Sequence, residues 1–201
     1  MAYFPMFVQL EGSPCLVVGG GGIALRKVRA LKDFGARVLV AADEILDEIK
    51  GMDGVAWQER GFLAEDLEGM ALVVAATDNK EENHRISCLC REKRIPVNAV
   101  DQIEDCSFIF PAYLKEGEVV AAFSSGGQSP IVAQYLKEQA RPRVTGLLGD
   151  LAAQLGDMRG TVKKMEPAGR RKAVYEELLR RGLDQGGLLS QEDIREIMEG
   201  K

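Results

Sequence analysis

Apolar residues fall into two patterns along this chain. Residues 15–18, 37–42, 72–76 and 95–100 form short, nearly continuous apolar runs, with a weaker run at 55–58. Such runs are the mark of strands buried on both faces of a parallel sheet. Between them the period lengthens. Ala24, Leu25, Val28, Leu31 and Phe34 fall on one helical stripe over 24–34, and Gly35 is a plausible stop. Residues 44–50, ended by Gly51, and 80–93 read as further helices, and 66–69 as a short turn or helix. Strand and helix alternate, which predicts an α/β fold with a Rossmann-like, doubly wound parallel sheet. Residues 3–9 are expected to add an edge strand, with a turn at 11–14.

Past residue 106 the pattern changes. Residues 107–114 and 119–123 flank Lys115-Glu116-Gly117-Glu118, a β-hairpin with a glycine turn. Ser129 is a good N-cap and Pro130 a good first helical residue. A helix is expected from there to just before Pro142, then helices near 144–158, 167–181 and 190–199. The last opens on Ser190-Gln191-Glu192-Asp193, close to a capping box. The expected domains are a nucleotide-binding domain over 1–112, a middle segment over 113–145 and a small all-α domain over 146–201.

The run at 15–18 leads straight into four glycines. Gly19, Gly21 and Ala24 sit at the spacing G-x-G-x-x-[G/A], with Gly22 and Ile23 opening the helix. In a dinucleotide fold the first glycine turns the chain off the strand, the second admits a pyrophosphate to the backbone, and the third position packs helix on strand. The helix N-terminus then offers N–H groups to the phosphates. Asp43, beside Glu44, ends the second strand about 20 residues on, where a carboxylate holds the ribose hydroxyls of NAD. It could equally cap the next helix. Thr77 and Asp78 follow the central strand, where they cap a helix, touch a cofactor, or do both.

Composition bounds the rest. The chain has 201 residues, of which 46% are hydrophobic and 28% charged, the profile of a soluble globular protein. No apolar run reaches the roughly 18 residues of a membrane span, and residues 1–7 do not read as a signal peptide. A cytoplasmic protein is expected. A net charge of −5 argues against a nucleic-acid binder. Residues 137–181 nevertheless carry 11 Lys and Arg against 6 Asp and Glu, a basic region on an acidic body. It suits a polyanionic small molecule or simply a solvated surface; Arg141, Arg143 and Lys163 are its candidates. The cysteines, Cys15, Cys88, Cys90 and Cys106, form no C-x-x-C pair, and His84 is the single histidine. That excludes the usual closed zinc sites and leaves reduced structural thiols.

Six stretches together resemble the precorrin-2 dehydrogenase/sirohydrochlorin ferrochelatase family, the dehydrogenase–chelatase half of siroheme synthase. They are residues 4–7, 15–27, 75–78, 97–101, 107–112 and 124–130, the last reading Ser-Ser-Gly-Gly-Gln-Ser-Pro. The resemblance implies that NAD⁺ takes a hydride from precorrin-2, a tetrapyrrole with eight carboxylates, to give sirohydrochlorin. Some members then insert Fe²⁺, as a substrate. It further implies an interlocked homodimer built on about 113–145, with the helical tail beside the substrate cleft. By the same resemblance Asp101 is the catalytic carboxylate. Ser125 matches a cleft serine that is phosphorylated in a relative, with Gly126 and Gly127 beside it as substrate-binding residues, and Asn98 joins the cofactor-facing set. The chain looks like the stand-alone form, without a methyltransferase half. The residues fit this chemistry independently, since a carboxylate at a strand end can accept the proton that accompanies hydride loss; Asp101 could otherwise serve only its turn. Two other readings stand beside this one. One is an NAD-sensing regulatory module, which leaves the hairpin, the 124–130 turn and the basic tail unexplained. The other is a dehydrogenase for another small substrate.

Overall fold

The computed structural model describes residues 3–165 and 167–200. Strand β1 (Pro14–Val18) organises the first of two compact units, Met1–Phe110. Its side chains alternate between the two sheet faces. Cys15 and Val17 pack with Ala24, Leu25, Val28 and Leu31 of helix α1 (Gly22–Asp33) and with Val38 and Val40 of β2 (Arg37–Ala42). Leu16 and Val18 join the opposite core. Its other members include Val73 and Ala75 of β4 (Leu72–Ala75), Ile86 and Cys90 of α3 (Lys80–Glu92), and Val97 and Ala99 of β5 (Val97–Ala99). Helix α2 (Asp47–Lys50) and strand β3 (Val55–Glu59) lie between β2 and β4 in the chain. Short 3₁₀ turns run over Ala64–Leu67 and Ile103–Asp105.

The five strands pair in the order β3-β2-β1-β4-β5, all parallel, with Val17 opposite Val40 and Val74. The chain winds outward from β1 to β3, then crosses to the other side of β1 for β4. A crevice therefore opens at the carboxyl ends of β1 and β4, where doubly wound sheets hold ligands.

Three expectations are corrected here. Residues 3–9 form no strand. Pro5 cannot donate to a ladder, and Phe4, Met6, Phe7 and Val8 are exposed. Helix α2 begins at Asp47 rather than 44, because the chain first folds over the glycine loop, where Leu46 N–H donates to Gly20 O (3.0 Å). The first hairpin strand begins at Ala112, not 107: Ser107 N–H donates to Val97 O (2.8 Å) and Ser107 Oγ accepts from Val97 N–H (2.8 Å), which ties residue 107 to β5.

The second unit, Pro111–Lys201, contains both spans expected past 113. Strands β6 (Ala112–Glu116) and β7 (Val119–Phe123) pair antiparallel across a turn at Gly117, φ +57°. Helices α4 (Pro130–Ala140), α5 (Gly146–Asp157), α6 (Arg159–Val162), α7 (Arg170–Gln185) and α8 (Gln191–Glu199) follow. Ser129 caps α4, and Ser190 with Asp193 forms the capping box of α8. Helix α5 meets the hairpin at Gly149, where a Cβ would stand 2.6 Å from Glu116 O. Val162, Val174, Leu178, Leu189 and Ile197 form this unit's helical core. Among the described residues no helix is long and apolar enough to cross a membrane.

Candidate functional site

The glycine loop joins β1 to α1. Gly19 adopts φ +122°, and a Cβ there would lie 2.3 Å from Ala76 O. At Gly20 a Cβ would lie 2.0 Å from Glu44 O. Neither position admits a side chain, because the ends of β4 and β2 press on the loop. Gly21 and Gly22 face open space instead, with nothing within 4 Å of a Cβ. They are the points at which a ligand can approach the backbone. Ala24 is fully buried and packs the helix against the sheet. Helix α1 starts from Gly21 with no side-chain cap and no acidic residue in its first turn. Its first N–H groups and the positive end of its dipole are left for an anion.

A cavity of about 940 Å³ opens above this loop. Gly19, Gly20, Gly21, Gly22 and Ile23 form its floor. Asp43, Glu44, Gly61 and Phe62 line one wall, and Thr77, Asp78, Asn79 and Glu82 the other. Among the described residues, no Lys or Arg lines it. Arg60, next to Gly61, is committed elsewhere: its two terminal nitrogens donate to Asp66 Oδ2 (2.8 Å) and Oδ1 (2.6 Å). That guanidinium, with help from Leu63 N–H, holds the Asp66 carboxyl below the usual carboxylate range.

Asp43 does not cap α2, whose N-cap is Leu46. Neither Thr77 nor Asp78 caps α3. That cap is Asn79, whose Oδ1 accepts from Glu81 N–H (3.0 Å) and Glu82 N–H (3.1 Å). Thr77 is instead fixed by Asn83, with Thr77 Oγ1 donating to Asn83 Oδ1 (2.7 Å) and Asn83 Nδ2 donating to Thr77 O (3.0 Å). The two helices that start at this cavity thus differ. The α1 end is bare, whereas the α3 end is capped and carries Glu81 and Glu82 in its first turn.

The structure gathers Gly19, Gly21, Gly22, Ile23, Asp43, Glu44, Thr77 and Asp78 around one cavity. Asn98 lies outside the lining; it is buried on β5, and its amide donates to Phe108 O (3.1 Å). Asp101 is exposed, in the turn after β5, with φ +59°. Val100 N–H donates to Ala75 O (2.9 Å), which sets that turn beside the carboxyl end of β4. Lys27 of α1 stacks over the Phe110 ring, 3.8 Å from its centroid. Burial pushes its ammonium below the ordinary lysine value, with Arg26 adding to the effect and Cys106 and Asp101 opposing it. Ser125, Gly126 and Gly127 belong to the second unit. Ser125 Oγ donates to Ser129 O (2.8 Å) and accepts from Ser129 N–H (2.9 Å), and both glycines have positive φ, +66° and +82°. Ser125 therefore staples its own loop.

Sequence reasoning missed Gly20, Gly61, Phe62, Asn79, Glu82 and Lys27. Asn79 was readable as the Asn/Asp/Ser/Thr residue nearest the helix start. The others owe their places to segments distant in sequence. A glycine floor, a bare helix N-terminus and a carboxylate at the end of β2 fit the pyrophosphate and ribose of a dinucleotide.

The siroheme synthase of Ectopseudomonas mendocina is 41% identical over 178 residues, which cover 87% of this chain and 38% of that protein. That of Thioalkalivibrio sulfidiphilus is 38% identical over 204 residues, covering 99% of this chain and 42% of its own. The chain thus spans about two fifths of the length of these relatives. Among solved structures, "SirC, precorrin-2 dehydrogenase" aligns over 98% of both chains with a TM-score of 0.68 at 21% identity, a shared fold. A family model described as "Putative NAD(P)-binding" matches residues 6–112, from before β1 to the start of the hairpin, and the chain belongs to that family.

Proposed function

We propose that this chain is a precorrin-2 dehydrogenase that uses NAD⁺ and yields sirohydrochlorin. The observation that carries the reading is the extent of the likeness to siroheme synthases. Identity of 38% runs over 99% of the chain, the hairpin and helical tail included. An NAD-sensing module accounts for the first unit alone.

Oxidation of precorrin-2 removes a hydride and a proton. Bound NAD⁺ supplies the hydride acceptor. Gly21, Gly22 and the α1 N-terminus hold its pyrophosphate, with Ile23 beside them, and Asp43 accepts from its ribose hydroxyls. Glu44, Thr77 and Asp78 complete the walls, and Asn98 ties β5 to Phe108 O. A 2′-phosphate would meet Asp43 and Glu44 with no Lys or Arg among the described lining residues, so NAD⁺ is favoured over NADP⁺. Asp101 accepts the proton. Ser125, Gly126 and Gly127 are assigned to the substrate. The active form is a homodimer built on 113–145, working in the cytoplasm, in keeping with four unpaired cysteines.

Incubating the purified chain with precorrin-2 and NAD⁺ tests the reading. The sirohydrochlorin spectrum should appear with one NADH per turnover, and kcat/KM should favour NAD⁺ over NADP⁺. Absence of sirohydrochlorin overturns the reading, and a preference for NADP⁺ overturns the cofactor assignment. Sirohydrochlorin supplied with Fe²⁺ measures chelation separately.

A further inference from the structure

Outside the dinucleotide cavity, three side chains line up between α3 and the 3₁₀ turn Ile103–Asp105. His84 and Cys88 stand four residues apart on α3, and so share a face. Cys88 Sγ lies 3.5 Å from His84 Nε2, and His84 Nδ1 lies 2.8 Å from Asp105 Oδ1. Asp105 is buried and firmly placed. Its Oδ2 accepts from Gln102 Nε2 (3.0 Å), its backbone carbonyl accepts from Ser87 Oγ (2.6 Å), and Arg91 Nη1 stands 3.9 Å from Oδ1. A carboxylate that accepts a hydrogen bond from Nδ1–H holds the ring in the tautomer whose Nε2 is a bare acceptor toward the sulfur. Nucleophile, base and orienting carboxylate thus follow one another in hydrogen-bond reach, the arrangement that activates a weak nucleophile.

Access also favours Cys88. The His84 side chain is 60% exposed and Cys88 is half-buried. Cys15 and Cys90 are buried, and burial pushes both thiols up to about 11. Burial raises the Cys106 thiol as well, and its sulfur is engaged by Ala99 O at 3.1 Å.

We propose that Cys88, His84 and Asp105 form a thiol–disulfide exchange site whose reaction partner is a low-molecular-weight disulfide. The Cys88 thiol passes its proton to His84 Nε2. Its sulfur bonds to the nearer sulfur of the reagent, whose S–S bond breaks. The departing thiolate recovers the proton from the imidazolium, which Asp105 stabilises. Cys88 is oxidised to a mixed disulfide, and half of the reagent is reduced to a free thiol, so no further oxidant is needed.

The test exposes the full chain to glutathione disulfide at neutral pH and maps the modified cysteine by mass spectrometry over time. Cys88 should be modified first. His84→Gln, at an exposed position, should keep the fold by circular dichroism. It should slow modification by roughly threefold or more, a modest factor because a gain in thiolate is partly offset by lower nucleophilicity. Cys88→Ser should abolish early modification and leave NAD⁺ binding unchanged. Equal rates in the parent and His84→Gln, or modification of Cys106 ahead of Cys88, would overturn the proposal.

Discussion

Asp101 holds a backbone conformation that most side chains avoid, φ +59°, and Asp and Asn are the non-glycine residues that tolerate it best. Asp101→Asn therefore keeps the turn and removes only the proposed proton acceptor. Folding and NAD⁺ affinity by calorimetry should hold, while precorrin-2 turnover falls by roughly 10²- to 10⁴-fold. Unchanged turnover would make Asp101 a turn residue and nothing more. Asp66 gives a second test at this scale. Its folded pKa lies below the unfolded value, through the Arg60 pair first. The stabilisation is thus present above about pH 4 and is lost as pH falls through the lower folded value. Asp66→Asn should melt a few degrees below the parent at pH 7, and the gap should close in strong acid. A gap that persists there would assign the loss to packing. The glycines show how far single residues could be read. The spacing of Gly19 and Gly21 was legible because it serves the local turn. Gly20 was not, because what forbids its side chain is Glu44 O, more than twenty positions away.

Elements were legible where their own sequence decides them. Period and length place β1, β2, β4 and α3, and the caps at Ser129 and Ser190 are local chemistry. Errors arose where a distant segment competes. Residues 107–110 look like half of a hairpin, yet Ser107 bonds to Val97, and Phe108 and Phe110 pack on the sheet core. Helix α5 shows the same principle in packing. Gly149 lies against the hairpin backbone, whereas Gly156 has nothing within 4 Å of a Cβ. Gly149→Ala should lower unfolding free energy by about 1–3 kcal/mol, the usual cost of overpacking. Gly156→Ala should raise it by roughly 0.5–1 kcal/mol through helix propensity. Denaturant melts of the two variants decide this, and a stabilising Gly149→Ala would deny the close contact.

At the scale of the whole molecule, helix α4 carries an exposed apolar surface. Ile131, Val132, Tyr135 and Leu136 form one helical stripe, with Ile131 78% and Tyr135 61% exposed. A stripe of this kind marks an interaction surface and supports the proposed dimer. Ile131→Asp combined with Tyr135→Asp should give a folded monomer by light scattering where the parent is a dimer. A monomeric parent at micromolar concentration would remove the assignment. Charge is partly answered within the second unit, since Arg141 pairs with Glu138 and Arg181 with Asp193 and Glu196. Arg143 and Lys163 remain better candidates than Arg141 to attract an acidic substrate. The dinucleotide cavity, finally, has unlike ends: a bare helix N-terminus at α1 and an acid-filled one at α3. Only the first welcomes negative charge, so the pyrophosphate of the proposed dinucleotide is drawn to the α1 end and away from α3. Drawn at one end and repelled at the other, a bound anion is held at one place along the crevice before any substrate arrives.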